Sequence, residues 1–580
     1  MSGLVDATTV PMWVKYVVLF TTGGTALMYL EGAYRRYIVR QVIRKRKEKA
    51  QMAMERVRTQ VNEQQVDGKL SADILNMTAV QLQTALQAGK VKAVDVLQTY
   101  QKKAIQENDR FNFILEPILE ARDLAEARDQ QQDNKKKLHG IPISVKESFN
   151  FKGQDTTGGC ASLIGKLARE DAVLVQVLKD QGAVPFVRTN IPQTMLSFDC
   201  SNPIYGKTLN PHDPTRTPGG SSGGEGAILA SEASILGLGS DIAGSVRIPC
   251  HFCGVTGLKP THGRLSTKGM LSFSSHQNIV SAVGGPMARD VDGVVLLMKA
   301  LLSPLHFKLD PSVPPIPFQD KEYADTRRLR IGYYTSHGYV DPVPACTRAV
   351  LITKEALEQK GHTLIPFEPP RIPYAISQLY MKVVCGDGGK SVTEYMEDDV
   401  VDPSMSMMMF NNRRSHPVRH FLASLAGWLS NDKTHEQMLR SMIGCKSVHE
   451  WGKLYGKVRQ YKDEFYDAWT RQKLDVVICP QFGFVAPPYG YLFKTFGGGI
   501  FAPIYNLLNY PAGCLPVTAV SANDIDGMKN YPENTAFEKN IKKVTEGSEG
   551  LPVGLQVVGQ QWQEELVLRV MKEIEEAIKS

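Results

Sequence analysis

Cysteine is scarce: nine residues scattered over a chain of 580. Their odd number and irregular spacing exclude a disulfide framework and point to reduced thiols in an interior. The only close pair, Cys250-His251-Phe252-Cys253, has no second CxxC and no HxxxH nearby. A structural zinc needs four ligands, so no metal site is expected. Phosphate-loop chemistry is missing too, because the one glycine-dense stretch is followed by no lysine. A dinucleotide fingerprint would need a strand just ahead of it, and Pro211-His212-Asp213-Pro214 is not one. No G-x-S-x-G elbow surrounds Ser245, and the chain has no internal repeat and no long low-complexity tract.

Long apolar runs are equally rare. The exception is Val10 to Leu30, where Lys15 is the sole charge. At roughly 1.5 Å per residue that stretch would span about 31 Å, the depth of a bilayer core. Asp6 ahead of it and Glu31-Gly32-Ala33 behind it do not fit a cleaved signal peptide. An uncleaved transmembrane anchor is expected. Arg35, Arg36, Arg40, Arg44, Lys45, Arg46, Lys47 and Lys49 follow at once and hold much of the net charge of +7. Positive charge on one side of an anchor fixes that side in the cytoplasm. The same run suits anionic lipid headgroups. Nucleic acid is not expected as a partner, since the only interleaved aromatics are Tyr34 and Tyr37.

Hydrophobic content of 42% and charged content of 22% are ordinary for a globular body. Residues 50–108 read as helices joined by short breaks, with Ser71 as a cap and Gly89 as a break. From Leu138 onward, short β-branched runs (141–145, 184–187, 476–478) alternate with helical stretches and glycine-rich loops. That alternation predicts an α/β fold with a mixed or parallel sheet wrapped in helices.

Three segments carry chemistry. Thr217-Pro218-Gly219-Gly220-Ser221-Ser222-Gly223-Gly224 sets two serines among glycines that let a ligand approach the main chain. Asp241-Ile242-Ala243-Gly244-Ser245-Val246-Arg247 puts a serine after small residues, where successive N–H groups can form an anion-binding nest. Beside a nucleophile, such a nest is an oxyanion hole. Gly140-Ile141-Pro142-Ile143-Ser144-Val145-Lys146 ends an apolar strand on a lysine, whose burial would turn it into a neutral base.

Taken together, these segments resemble the amidase-signature family. The Gly-Gly-Ser-Ser-Gly-Gly block, a serine 24 positions further on, and a strand lysine 75 positions before occur here in family order. Gly285-Pro286-Met287-Ala288-Arg289-Asp290 and Tyr510-Pro511-Ala512-Gly513 add to the match, which runs from about residue 70 to about 575. The resemblance implies a central mixed twisted sheet surrounded by helices and a Ser–Ser–Lys triad of Ser245 (nucleophile), Ser221 (relay) and Lys146 (base). It also implies a cis bond before Ser221, an oxyanion hole from the N–H groups of Ile242, Ala243, Gly244 and Ser245, a substrate channel touched by Met195, and no cofactor. Arg247 and Asp241 are expected to brace the turn. Ala243 is a departure, since similar members carry glycine there.

The anchor, Met195-Leu196-Ser197-Phe198-Asp199-Cys200-Ser201-Asn202-Pro203 and Trp562-Gln563-Glu564-Glu565-Leu566 set the chain beside family members that hydrolyse fatty acid amides such as N-acylethanolamines and primary amides. An amidase or esterase acting on other substrates is the alternative. An inactive scaffold is disfavoured by the intact lysine and serines. The expected organisation is a tail (1–9), an anchor (10–30), a basic juxtamembrane and helical linker (31–69) and a catalytic domain (70–580). Within the last, a membrane-binding cap is expected at about 410–445. There Val418, Phe421, Leu422, Leu425, Trp428 and Leu429 share one helical face, with Arg413, Arg414 and Arg419 at headgroups. The resemblance implies a homodimer with its catalytic domain on the cytosolic side of an endomembrane, ER or Golgi, meeting membrane lipids and lipid amides.

Overall fold

The computed structural model describes residues 23–63, 66–131, 135–274, 277–491 and 493–579. Among the described residues thirteen strands form in chain order: β1 (Ile114–Pro117), β2 (Pro142–Lys146), β3 (Val184–Thr189), β4 (Ser201–Asn202), β5 (Gly206–Lys207), β6 (Leu236–Asp241), β7 (Thr256–Lys259), β8 (Val283–Ala288), β9 (Arg330–Tyr333), β10 (Thr363–Pro366), β11 (Val476–Pro480), β12 (Ala512–Ala519) and β13 (Pro552–Gly559). Eleven of them make one sheet in the order β1-β3-β2-β6-β8-β7-β12-β13-β11-β9-β10, and β4 pairs with β5 apart from it. Its pairings are mixed: β2 runs parallel to β3 and β6, whereas β6–β8 and β12–β13 are antiparallel. The β-branched runs at 141–145, 184–187 and 476–478 became β2, β3 and β11. All three are buried from end to end, as strands covered by helices on both faces require.

This register positions the site. Because β2 and β6 are parallel, with Val145 opposite Leu238, their C-terminal ends meet at one edge of the sheet. Lys146 ends β2, Asp241 ends β6, and the loop to Ser245 leaves from there.

Six helices matter below: α1 (Gly23–Glu63), α2 (Gly223–Ala230), α3 (Arg247–Cys253), α4 (Ser406–Asn412), α5 (His416–Ser430) and α6 (Lys433–Ser441). The expected anchor, Val10 to Leu30, lies outside the described residues except for the helical backbone of 23–30. Among the described residues no helix is long and apolar enough to cross a membrane.

The basic segment after it, expected as a helical linker, is helical through Glu63 as part of α1. Ala50, Val57 and Val61 of α1 are buried, and so is Arg46. Arg46 turns inward because Glu116 of β1 and Asp155 neutralise it. Ser71 is not a cap. It lies inside the helix Gly68–Asn76, whose N-terminal N–H groups, Lys69 and Leu70, donate to Asp67 at 3.0 Å. All nine cysteines are free thiols and seven are buried.

Candidate active site

Lys146 has no exposed surface. Its Nζ lies 2.7 Å from Ser221 Oγ, 2.9 Å from Ser240 Oγ and 3.3 Å from the Ser240 carbonyl. Burial lowers its pKa to about 7, against the opposing pull of Asp241, Cys200, Glu225 and Glu147. An amine in this setting is neutral for much of the time near neutral pH, and three oxygens fix its direction.

Ser221 follows a cis Gly220–Ser221 peptide bond. A side chain at 220 would meet the Ser197 carbonyl at 2.8 Å, which is why glycine stands there. The neighbouring hydroxyl is otherwise engaged. Ser222 Oγ donates to the Ser240 carbonyl and accepts from the Ser240 N–H, both at 3.2 Å, while the Ser222 N–H donates to the Ser245 carbonyl at 3.1 Å. Ser222 thus laces the glycine block to β6 and leaves Ser221 to face Lys146.

Ser245 lies in the loop between β6 and α3 and is 2% exposed. The loop is held from below by Asp241. One Asp241 oxygen accepts from the Gly244 N–H (2.8 Å) and from Asn506, the other from the Val246 N–H (3.1 Å), and Arg247 bridges both. Burial alone would raise this carboxyl, but Arg247 holds it far below the usual carboxylate range. The bracing role expected of Asp241 and Arg247 is therefore what they do.

One expectation needs correcting. The Gly244 N–H is committed to Asp241, so it is not free to hold a substrate oxygen. Among the described residues, nothing accepts from the N–H groups of Ile242, Ala243 or Ser245, which leaves three donors at the loop. Glycine is needed at 244 for another reason. Its φ is +109°, and a Cβ would stand 2.7 Å from Ala502 Cβ.

Two cavities meet at Ser245. The smaller, about 30 Å³, is lined by the hydroxyl residues Ser221, Ser240, Ser245, Ser272, Ser274 and Thr194 and, equally, by apolar residues that include Met195, Leu271 and Phe273. The larger, about 400 Å³, touches Ser245, Ile242 and Ala243 but not Ser221.

A family model of amidases matches residues 95–568. The chain belongs to the amidase family. It is 40% identical over 512 residues to fatty-acid amide hydrolase 1 of Sus scrofa, covering 87% of this chain and 86% of that one. It is 38% identical over 513 residues to fatty acid amide hydrolase 1 of Caenorhabditis elegans, covering 86% and 87%. A solved structure of fatty acid amide hydrolase superposes with a TM-score of 0.77 at 26% identity, covering 93% of this chain and 95% of that chain.

The large cavity of this amidase is lined by sulfur. Met195, expected to touch a substrate channel, lines this cavity with Met405, Met408, Met438 and Met442. The last four are not among the expected site residues, although Met405 and Met408 belong to an evident run, Met405-Ser406-Met407-Met408-Met409. Unbranched thioethers fill irregular apolar space and readjust to what enters it. Phe198 and Phe496, stacked with centroids 6.2 Å apart, close one wall.

The segment expected as a cap at about 410–445 adds His435, Met438, Leu439 and Met442 to that lining, from α6 and the residue after it, while Met407 and Met408 of α4 lie just ahead of it. On α5, Val418, Phe421, Leu425, Trp428 and Leu429 are exposed, Trp428 by 77%, while Ala423 and Gly427 face inward. Arg419, expected at headgroups, is buried: its guanidinium donates to the Gly388 and Met442 carbonyls at 2.8 and 2.6 Å and ties α5 down. Arg413 and Arg414 remain exposed.

Proposed function

We propose that this amidase hydrolyses fatty acid amides, N-acylethanolamines such as anandamide and primary amides such as oleamide, through a Ser–Ser–Lys triad. The observation that carries the reading is the 2.7 Å contact between a buried Lys146 amine and Ser221, beside an apolar cavity that opens on Ser245. Neutral Lys146 takes the Ser221 proton as Ser221 takes that of Ser245. Ser245 Oγ bonds to the amide carbon, and the oxyanion rests on the N–H groups of Ile242, Ala243 and Ser245. As the C–N bond breaks, Ser221 protonates the leaving nitrogen and recovers a proton from the Lys146 ammonium, since an amine leaves poorly unless protonated. Water then repeats the sequence on the acyl-enzyme and releases the fatty acid.

The two cavities support an orientation. The leaving nitrogen must lie near Ser221, which borders the small pocket and not the large one. The acyl chain then takes the other side, where about 400 Å³ of methionine-lined space lies within the range typical of ligand sites. Two relatives named as fatty acid amide hydrolases, in Sus scrofa and Caenorhabditis elegans, support this choice of substrate. The test is turnover of amides with graded acyl length, together with fluorophosphonate labelling of wild type and Ser245→Ala. Preference for short chains removes the lipid reading, and equal labelling removes Ser245 as nucleophile.

The reading extends to a membrane-bound homodimer of the ER or Golgi, anchored by Val10 to Leu30 with its catalytic domain in the cytosol. Two features support contact with lipid: the exposed apolar row on α5, and the Arg35–Asp398 contact of 3.0 Å that brings the basic face of α1 beside the approach to the cap. Recovery of the full chain in the soluble fraction after carbonate extraction contradicts the anchor. A monomeric mass in detergent contradicts the dimer.

A further inference from the structure

Tyr380 touches the loop that would hold the oxyanion, and the mechanism above gives it no part. It ends a one-turn π-helix, Ala375–Tyr380, that passes directly into the helix Met381–Val384. Such insertions recur at functional sites because they redirect a side chain without ending the helix. Here the redirected side chain is 3% exposed and lies in the wall of the large cavity. Its hydroxyl donates to the Ile242 carbonyl at 2.9 Å.

That carbonyl belongs to the same peptide unit as the Ala243 N–H. The unit is trans, so its C=O and N–H point in opposite directions. Fixing the carbonyl on Tyr380 therefore fixes the N–H on the far side, where nothing among the described residues accepts from it. A hydrogen bond on the oxygen also polarises the amide and makes its N–H the stronger donor. Burial pushes the Tyr380 phenol well above its ordinary range, so the hydroxyl stays protonated and can only donate to a carbonyl. Asp241 holds the loop through the Gly244 and Val246 N–H groups, and the Gly244 carbonyl accepts from the Ile248 N–H. Neither contact reaches the Ile242–Ala243 unit, which Tyr380 holds.

We propose that Tyr380 is a positioning residue for catalysis: its hydroxyl clamps the Ile242–Ala243 peptide so that the Ala243 N–H is aimed and strengthened for the oxyanion. The clamp acts on a charge that exists only once Ser245 has attacked, so it acts on turnover and not on substrate binding. The proposal rests on the triad reading given above.

The test is Tyr380→Phe in the full-length enzyme, which removes one oxygen and keeps the ring. With an oleoyl amide, kcat should fall about ten-fold, the order expected for one indirect hydrogen bond, with KM moving by less than about two-fold. A long-chain trifluoromethyl ketone, which Ser245 converts to a bound oxyanion, should lose affinity by the same factor. The product fatty acid, which forms no such oxyanion, should bind as before. A merely structural tyrosine would lower the melting temperature and weaken both ligands together, or neither, and either result overturns the proposal. Should Tyr380→Phe not fold, p-methylphenylalanine and p-aminophenylalanine at position 380 compare a non-donor with a donor of equal length. Only the donor should support full turnover, and equal turnover overturns the clamp. Ser245→Ala is measured alongside. Turnover surviving in it removes the triad reading on which the clamp rests, whereas an inactive Ser245→Ala with unchanged Tyr380→Phe removes the clamp alone.

Discussion

Arg46 closes both of its Nη atoms on the Glu116 carboxylate, each at 2.5 Å, and reaches Asp155 at 2.9 Å. The pair joins the helix leading in from the N-terminus to the first strand of the sheet. From there the charges continue inward. Arg188 stands 3.6 Å from Glu116 on one side and 3.6 Å from Glu147 on the other, and Glu147 follows Lys146 in the chain. Two arginines and three carboxylates thus share one buried cluster beside the site.

Removing Arg46 leaves Glu116 and Asp155 buried against a single remaining arginine. Breaking a buried pair from one side typically costs about 3 kcal/mol or more. Arg46→Met is expected to lower the apparent melting temperature by several degrees and to open residues 31–63 to trypsin. Arg46→Lys should recover only part of this, because an ammonium cannot hold two carboxylates in fork geometry. Unchanged proteolysis of the helix in Arg46→Met would mean that its docking does not depend on this contact.

The two adjacent serines should part company on mutation. Ser221→Ala removes the hydroxyl at 2.7 Å from Lys146 and is expected to cut kcat/KM by about a thousand-fold. Ser222→Ala removes two bonds to the Ser240 backbone, costing about 1–2 kcal/mol of stability, with kcat/KM held within about ten-fold. Steady-state kinetics with thermal melts separate the two. A larger kinetic loss in Ser222→Ala would reverse their roles.

The placement of Lys146 against Ser221, and of Ser221 and Ser245 on one cavity, was legible because it is written in local motifs: a strand that must be buried, glycines that must clear a backbone, a short loop with an acid and an arginine at its base. The sheet was legible in its β-branched runs. Two of the misread features depend on partners far away in sequence. Arg46 lies in a run of positive charge, and nothing local says that Glu116 and Asp155, 70 and 109 residues on, will neutralise it. Arg419 is misread for the same reason, since its acceptors are two carbonyls on other segments. The engagement of the Gly244 N–H is hidden although its partner is only three residues away, because sequence does not show that the Asp241 carboxylate bends back onto it. The methionine lining depends on how α4 and α6 fold over the cavity, which side-chain periodicity on each helix does not reveal.

Activity should follow the protonation of Lys146. Only the neutral amine can accept a proton, and burial sets its pKa at about 7. Below that value the ammonium dominates, and kcat/KM should fall by about ten-fold per pH unit; above it the profile should level off. The pH dependence of kcat/KM on a substrate without ionisable groups gives the limb directly. An acid limb near the ordinary lysine value, around 10 or above, would mean that the amine is hydrated in the working enzyme.

Gly244→Ala probes the backbone of the oxyanion loop. The residue sits at φ +109°, and the added methyl would meet Ala502 Cβ at 2.7 Å and Ile248 Cδ1 at 2.9 Å. Relief requires the loop to move, and Ser245 is the next residue. A strained backbone of this kind costs on the order of 1–3 kcal/mol, while misplacing the nucleophile costs much more in rate. Fluorophosphonate labelling is expected to slow by at least about a hundred-fold with the far-ultraviolet spectrum unchanged. Normal labelling would show that the loop absorbs the methyl without moving Ser245.

The apolar row on α5 should matter only where there is a lipid surface. Phe421 and Trp428 are 65% and 77% exposed, so replacing them disturbs little packing, and Ala423, Gly427 and Arg419 continue to hold the helix. Phe421→Asp with Trp428→Glu, in a chain starting at residue 32, is expected to leave hydrolysis of a detergent-dispersed amide within about two-fold. Binding to phosphatidylcholine–phosphatidylserine liposomes should drop by about ten-fold or more, since each ring that enters the interface contributes about 1 kcal/mol or more through its buried apolar area. Sedimentation with liposomes at two salt concentrations reads both contributions, because the basic face of α1 is screened by salt and the apolar row is not. Liposome binding that survives the double substitution at high salt would place the lipid contact elsewhere on the molecule.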